Sequence, residues 1–294
     1  MENNILSITT RSVGEKNNIK NFIQGINLIS KSKFDNANFN FFEIQELLDD
    51  SNFDKEFEEL IPEFNKVEYN VAHAPIHWPF FYNNYYNLNN RQILEERIEK
   101  SICFANKLNI KNIVIHIGTM LDDNGIYDKE KSYYENIKYL EKFVEIASKL
   151  NMIVAIENGT NMEREVTPEI DELIKLVDYF NELYNKKVMG ICFDFGHANV
   201  GNLNIYDELI KIGNRLTVTH IHDNYGTDTH DFPYSGSIDW KMAYKGLIDI
   251  NYKGELTLEV RFKDYQLQDE EVINSNYNIL NKIINYSDKE VELC

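Results

Sequence analysis

The stretch Leu216–Trp240 reads LTVTHIHDNYGTDTHDFPYSGSIDW. It opens as an apolar, β-branched run, the pattern of a buried strand. That run delivers His220, His222 and Asp223 within four residues, and Asp228 and His230 follow in the same stretch. Gly226, Pro233 and Gly236 make the continuation a loop. Imidazoles and carboxylates crowded at a strand end supply neutral nitrogen donors, anionic oxygens and a rigid support, which is what a divalent cation needs.

Working outward, similar apolar runs recur. Glu255–Val260 (ELTLEV) follows; Val188–Asp194 (VMGICFD), Met152–Glu157 (MIVAIE), Lys111–His116 (KNIVIH) and Tyr69–His73 (YNVAH) precede. Ala37–Ile44 (ANFNFFEI), with Glu43 near its end, and Asn4–Thr10 read as the first two strands. Helical patterns separate them around Lys16–Ser30, Phe53–Phe64, Arg91–Leu108, Lys129–Leu150, Ile205–Ile212 and Ile238–Ile250, with Glu270–Ile284 closing the series. Another helix starts at Thr167-Pro168-Glu169, a capping residue and a proline at the first helical position, and runs to Asn185. Strands joined through helices are parallel, and near-continuous apolar strands need a sheet covered on its outer face. Eight such units predict an α/β protein made of one (β/α)8 barrel spanning residues 1–294.

From the third strand onward, each strand runs into a metal-ligand type: His73, His116, Glu157, Asp194, His220 and Glu259. His197 follows Asp194 in FDFGH, and Asp228 and His230 follow the seventh strand in DTH. The carboxyl ends of barrel strands open on one face, so these nine positions converge there. Five of the seven histidines belong to the set. A lone carboxylate at a strand end is more often a helix cap or an ion-pair partner; the constellation points to one to three divalent ions per chain. Mixed nitrogen and oxygen donors suit Zn²⁺, Mn²⁺ or Fe²⁺ better than Mg²⁺ or Ca²⁺. The aromatic segment His77–Tyr86 (HWPFFYNNYY), which includes Trp78, reads either as a packed cap over the barrel mouth or as a stacking wall for a sugar or base.

Composition narrows the classes. The net charge of −18 repels phosphate backbones, so nucleic acid is not the default partner, although bound ions make a site locally positive. Cys103, Cys192 and Cys294 are odd in number and lack CxxC spacing, which fits a reduced cytoplasmic protein. The start MENNILSITTRS carries no secretory pattern, and no apolar run is long enough for a membrane helix. The sequence leaves a homo-oligomer open.

VAHAP, VIHIG, AIEN, FDFGHAN, HIHDN…DTH…GSIDW and LEV, in this order, resemble the xylose isomerase-like barrel superfamily over Asn70–Arg261. That group includes sugar (phosphate) isomerases and epimerases and the endonuclease IV type, which cuts DNA at abasic sites. The resemblance implies that His73 and His116 hold one metal, with Glu157 bridging to a second completed by Asp194, His220 and Glu259. His197, Asp228 and His230 would hold a third, as in the endonuclease pattern; Glu157, Asp194, His220 and Glu259 alone resemble the single-metal set of ketose epimerases. GSIDW resembles the isomerase/epimerase branch, and Gly196 stands where the endonuclease branch usually has Cys. Tyr234 and Ser235 partly replace a glycine-rich stretch. His222 stands where relatives commonly carry Asn or Lys, and either lines the site or hydrogen-bonds Asp223.

Three functions follow. The favoured one is a metal-dependent isomerase or epimerase of a small sugar or sugar phosphate, working through a metal-stabilised enediolate. In it Glu157 and Glu259 move protons, and Arg261, His222 and Trp78 contact substrate. The alternative is zinc-dependent phosphoester hydrolysis at abasic sites, favoured by the full nine-position set and opposed by the charge. A metal site kept only for sensing or structure is the third.

Overall fold

A computed structural model describes residues 4–13, 18–76, 91–160, 169–261 and 270–290, with the side chains of the last segment described to 284. The apolar runs become β1 (Leu6–Thr9), β2 (Asn36–Asn40), β3 (Glu68–His73), β4 (Asn112–Ile115), β5 (Ile153–Glu157), β6 (Met189–Asp194), β7 (Leu216–Ile221) and β8 (Leu256–Leu258). Each pairs in parallel with the next, and β8 pairs with β1, so the sheet closes into a barrel in chain order. Around it lie α1 (Ile19–Ile29), α2 (Phe53–Phe64), α3 (Arg91–Lys107), α4 (Lys129–Lys149), α5 (Ile170–Tyr184), α6 (Phe195–Val200), α7 (Ile205–Ile212), α8 (Trp240–Asp249) and α9 (Glu270–Glu290).

Local chemistry sets the boundaries. Asp128 caps α4 by accepting from the Lys131 N–H at 2.9 Å, and Asp239 caps α8 by accepting from the Met242 N–H at 3.0 Å. Asn109, Asn151, Asn185 and Asn251, just past the ends of α3, α4, α5 and α8, have φ of 60°, 57°, 49° and 56°. Asparagine tolerates this left-handed conformation better than other chiral residues, so part of the chain's asparagine content ends helices where glycine commonly would.

Alternation along the strands makes two cores. Outward residues such as Ile113, Ile156, Phe193 and Leu258 pack against the helices. Inward, Val71, Val114, Ala155, Cys192 and Val218 form a separate buried cluster. Each stands two residues before a predicted ligand: His73, His116, Glu157, Asp194 and His220 respectively. Residues two apart on a strand share a face, so the apolar cluster is the dry floor on which the polar site rests.

Several expectations are adjusted. Ala37–Ile44 does not stay extended: β2 ends at Asn40, whose side chain accepts from the Phe42 N–H at 3.0 Å and turns Phe41–Ile44 into a 3-10 helix. α5 begins at Ile170 with Glu169 as its cap, in a reciprocal box with Glu172; Thr167 and Pro168 lie outside the described residues. α6 was not expected. The aromatic segment with Trp78 also lies outside the described residues. No described helix is long and apolar enough to cross a membrane.

Candidate metal centre

The strand ends bring all nine predicted ligand positions to one mouth. Among the described residues, four groups have donor atoms mutually within 4.8 Å: His73, His116 and Glu157; Glu157, Asp194, His220 and Glu259; Glu157, Cys192 and His220; and His197, His222, Asp228 and His230. Glu157 joins the first two through different oxygens. Its Oε2 lies 3.3 Å from His73 Nε2 and 3.0 Å from His116 Nε2, and its Oε1 lies 2.9 Å from His220 Nδ1. Glu259 Oε2 meets the same His220 nitrogen at 3.0 Å. The two glutamates, from the ends of β5 and β8, therefore converge on one imidazole.

Backbone carbonyls orient three of the histidines. Nδ1–H of His73 donates to Ala74 O at 2.8 Å, that of His197 to Asn158 O at 2.9 Å, and that of His230 to Glu259 O at 2.9 Å. Each bond fixes the tautomer and leaves Nε2 as the available donor. His220 faces the glutamates through Nδ1, while its Nε2 lies 3.4 Å from the Asn38 amide nitrogen, and Asn38 Oδ1 is buried without a partner. Turning that amide over satisfies both groups: Nε2–H then donates to Oδ1, and Nδ1 becomes the metal-facing lone pair.

Asp194 has two tasks. Its Oδ1 accepts from the His197 N–H at 2.7 Å, which starts α6 and puts His197 one turn away on the same side of the mouth. The Asn158 side chain locks the pair of strands beneath, accepting from the Asp194 N–H at 2.7 Å and donating to the Asp194 carbonyl at 3.0 Å.

Asp223 is buried and belongs to the loop after β7, not to His222. It accepts from the N–H groups of Asn224 (2.9 Å), Tyr234 (3.0 Å) and Ile238 (3.3 Å), and from Trp240 Nε1 (2.9 Å). The GSIDW ending thus closes the loop: Trp240 reaches back to Asp223, Asp239 caps α8, and Gly236 packs where a Cβ would stand 2.2 Å from Asp223 Oδ1. Buried donors left without an acceptor cost roughly 1–3 kcal/mol each, so Asp223→Ala is expected to lose at least about 3 kcal/mol in urea unfolding. An unchanged midpoint would remove this latch role.

The same loop holds His230 at φ 53°, a conformation uncommon for a chiral residue. It is secured by the paired backbone bonds between Asp223 and Asp231 (2.9 and 3.0 Å) and by the Arg261 N–H donating to His230 O at 3.2 Å. The Arg261 guanidinium lies 3.8 Å from Asp228 Oδ2, so it faces the site.

His222 contacts Asp194, with Nε2 3.0 Å from Oδ1, and stacks on His230 at 4.0 Å between ring centroids. Its ring fills the volume beside Gly196, where an added Cβ would stand 1.9 Å from His222 Cε1. Overpacking of this kind costs roughly 1–3 kcal/mol, so Gly196→Ala is expected to destabilise by that amount, and His222→Asn in the same chain to recover most of it. Strictly additive losses would contradict the steric coupling.

Electrostatics fit a cation. Burial pushes Glu157 and Glu259 up, but His220 and His116 facing Glu157, and His220 and Arg11 facing Glu259, outweigh it and hold both well below the usual carboxylate range. Asp228 is lowered in the same way, against burial, by His230, His197 and His222. His197 is raised to about 10: burial opposes, and Asp194, Asp228 and Glu157 prevail. His222 is raised, against burial, by Asp194 and Asp228. These carboxylates hold positive charge on the imidazoles where a divalent ion would supply it. Asp228 Oδ1, buried and without a well-aligned hydrogen bond, is the clearest vacant acceptor.

Three contributors lay outside the predicted set. Arg11, just after β1, places Nη1 3.4 Å from Glu259 Oε1 and Nε 3.9 Å from Glu43 Oε1. Asn38 and Asn158 are the others; only the position of Asn158 in the AIEN motif hinted at it.

The described family xylose isomerase-like TIM barrel matches residues 33–283. D-psicose 3-epimerase of Enterocloster bolteae is 26% identical over 132 residues, 45% of this chain and 41% of its own length. The chain spans about half the length of the curated relatives it matches. A D-tagatose 3-epimerase-like protein superposes with a TM-score of 0.74 at 21% identity, covering 97% of this chain and 99% of that one. The IolI protein, solved with a zinc atom bound, gives 0.74 at 19% identity over 96% and 98%. At these identities the two structures speak for the fold. The match over residues 33–283 places the chain in its family: it belongs to the xylose isomerase-like TIM barrels.

Proposed function

We propose that the protein is a metal-dependent isomerase or epimerase of a small sugar or sugar phosphate. The observation that carries this reading is the convergence of Glu157 and Glu259 on His220 Nδ1, at 2.9 and 3.0 Å, within a four-residue donor group completed by Asp194. The similarity to a D-psicose 3-epimerase points to the same class.

Glu157, Asp194, His220 and Glu259 would hold a Zn²⁺ or Mn²⁺ ion, which supplies polarisation of a carbonyl and its neighbouring hydroxyl. The protein does the rest. Glu157 and Glu259 come from β5 and β8, and both are ionised at neutral pH. One, ionised, would take the proton from the carbon beside the carbonyl; the other, carrying a proton taken up with the substrate, would deliver it to the opposite face, which inverts that carbon and leaves the two carboxylates with their protonation exchanged. Arg11 engages Oε1 of Glu259 and fixes that carboxylate's orientation. His73 and His116 engage Oε2 of Glu157. The apolar floor of Val71, Val114, Ala155, Cys192 and Val218 keeps water from below the reacting carbon. The test is proton exchange: metal-loaded protein is incubated with ketohexoses in D₂O, and deuterium at the carbon next to the carbonyl is expected.

A second reading, phosphoester hydrolysis at abasic sites, is favoured by one feature: the oxygens of Glu157 are divided between two donor groups, as a carboxylate bridging two ions would be. The bound-ion count separates the two. His73→Ala should leave the count unchanged under the first reading and lower it by one under the second.

A further inference from the structure

We infer that His222 is a metal ligand, and that with His197, Asp228 and His230 it forms a closed four-donor site for a Zn²⁺-like ion that clasps the β7–α8 loop instead of touching substrate.

The four donors come from separate pieces of chain: His197 from α6, His222 from the residue after β7, and Asp228 and His230 from the loop. Their ligand atoms lie within 4.8 Å of one another. Asp228 Oδ1 is at the centre of the arrangement, with His230 Nε2 at 3.3 Å, His197 Nε2 at 3.8 Å and His222 Nε2 at 3.9 Å. Nitrogen and oxygen donors at about 2.0–2.1 Å from zinc stand roughly 3.4 Å apart in a tetrahedron, so small side-chain adjustments close the cage. Three imidazoles and one carboxylate are a donor set zinc accepts.

The competing role for His222 is to donate Nε2–H to Asp194, 3.0 Å away. That bond orients Asp194 but leaves Asp228 Oδ1 buried without a well-aligned hydrogen bond, with His230 Nε2 at 3.3 Å. Coordination satisfies it. His222 Nδ1 lies against Gly196 and is unpartnered in either role, so it does not discriminate. The stacking of His222 on His230, with ring planes 12° apart, brings the two nitrogens to the same ion.

Three imidazoles and one carboxylate at tetrahedral spacing leave a Zn²⁺-like ion no open position, the arrangement of structural zinc, whereas the carboxylate-rich set of Glu157, Asp194, His220 and Glu259 suits an ion of higher coordination number that keeps room for substrate oxygens. An ion there ties α6 and the end of β7 to the segment that already carries His230 in its left-handed conformation.

The test measures metal, independent of any substrate. Zinc-loaded, dialysed protein is analysed for bound ions in the wild type, His222→Asn, His230→Ala and the double variant. Each single variant is expected to lose one ion per chain, and the double variant the same one ion. Cobalt-substituted wild type should show the strong visible absorption of four-coordinate cobalt, reduced to the weak bands of higher coordination in His222→Asn. Gly196→Ala, which displaces the ring without removing it, should behave likewise. Nitrogen NMR of the wild type needs no variant: zinc should remove the proton from His222 Nε2. An unchanged ion count and cobalt spectrum in His222→Asn, or a proton retained on Nε2 in the zinc-loaded wild type, would overturn the inference and leave His222 as the hydrogen-bond partner of Asp194.

Discussion

Glu259→Gln and Glu157→Gln are each expected to abolish turnover, with kcat falling at least 10²-fold and by up to about 10⁴-fold, the range general acid–base groups contribute. The amide keeps the size of the carboxylate but cannot take a proton, so the chemistry stops; because both residues would also hold the ion, bound metal is counted in each variant. The two losses should not add, because one proton path uses both groups. Glu259→Gln also removes the charge facing Arg11 Nη1 at 3.4 Å, so its guanidinium is left paired only towards Glu43. Full activity in either variant would end the proton-transfer roles. Sugar binding measured beside substrate-carbon exchange in both variants distinguishes a lost base from lost binding: a base variant binds sugar but exchanges nothing.

Removing the metal is expected to have the second largest effect. Chelated protein should lose turnover and melt at a lower temperature, and Zn²⁺ or Mn²⁺ should restore both. An ion present at 100 times its dissociation constant contributes about 2.7 kcal/mol to the folded state, which for a chain of this size corresponds to roughly 4–5 °C. The physical source is the set of carboxylates at the mouth, buried Glu157, Asp194 and Glu259 and half-buried Asp228. Without a divalent cation they are balanced by protons on the imidazoles, by Arg11 beside Glu259 and by Arg261 beside Asp228. A protein shown to be metal-free that still works at its original rate would contradict metal catalysis.

Much of this was legible in the sequence because barrel strands carry two signals at once. MIVAIE and VMGICFD are apolar enough to read as buried strands, and each ends on a carboxylate that an ordinary core strand would not place there. The parallel order then put nine distant residues at one mouth. The contributors that were missed carry no such signal. Arg11 comes from a short turn after β1 and is only one of the chain's basic residues. Asn38 and Asn158 were hidden in an asparagine-rich chain, where one more asparagine at a strand looks incidental. α6 is six residues long and is started by Asp194, a residue whose place at a strand end reads as a candidate metal donor and hides its role as a cap. The departures at Gly196 and His222 looked separate in sequence and are in contact in space, since the His222 ring fills the room beside Gly196. The hydrogen bond from His222 to Asp223 was a reasonable reading of neighbours, but adjacent residues on a strand point to opposite faces, and Asp223 turns to the loop.

The most direct test of the sugar reading is deuterium exchange on a panel of ketohexoses, including D-psicose, by protein loaded with Zn²⁺ or Mn²⁺, alongside a duplex carrying one abasic-site analogue with His230→Ala as the nuclease control. The expected result is an epimer carrying deuterium at the carbon next to the carbonyl, absent in Glu259→Gln, and an intact duplex. Sugars that keep every C–H bond, together with nicking by stoichiometric protein that vanishes in His230→Ala, would contradict it and make this site a phosphoester hydrolase.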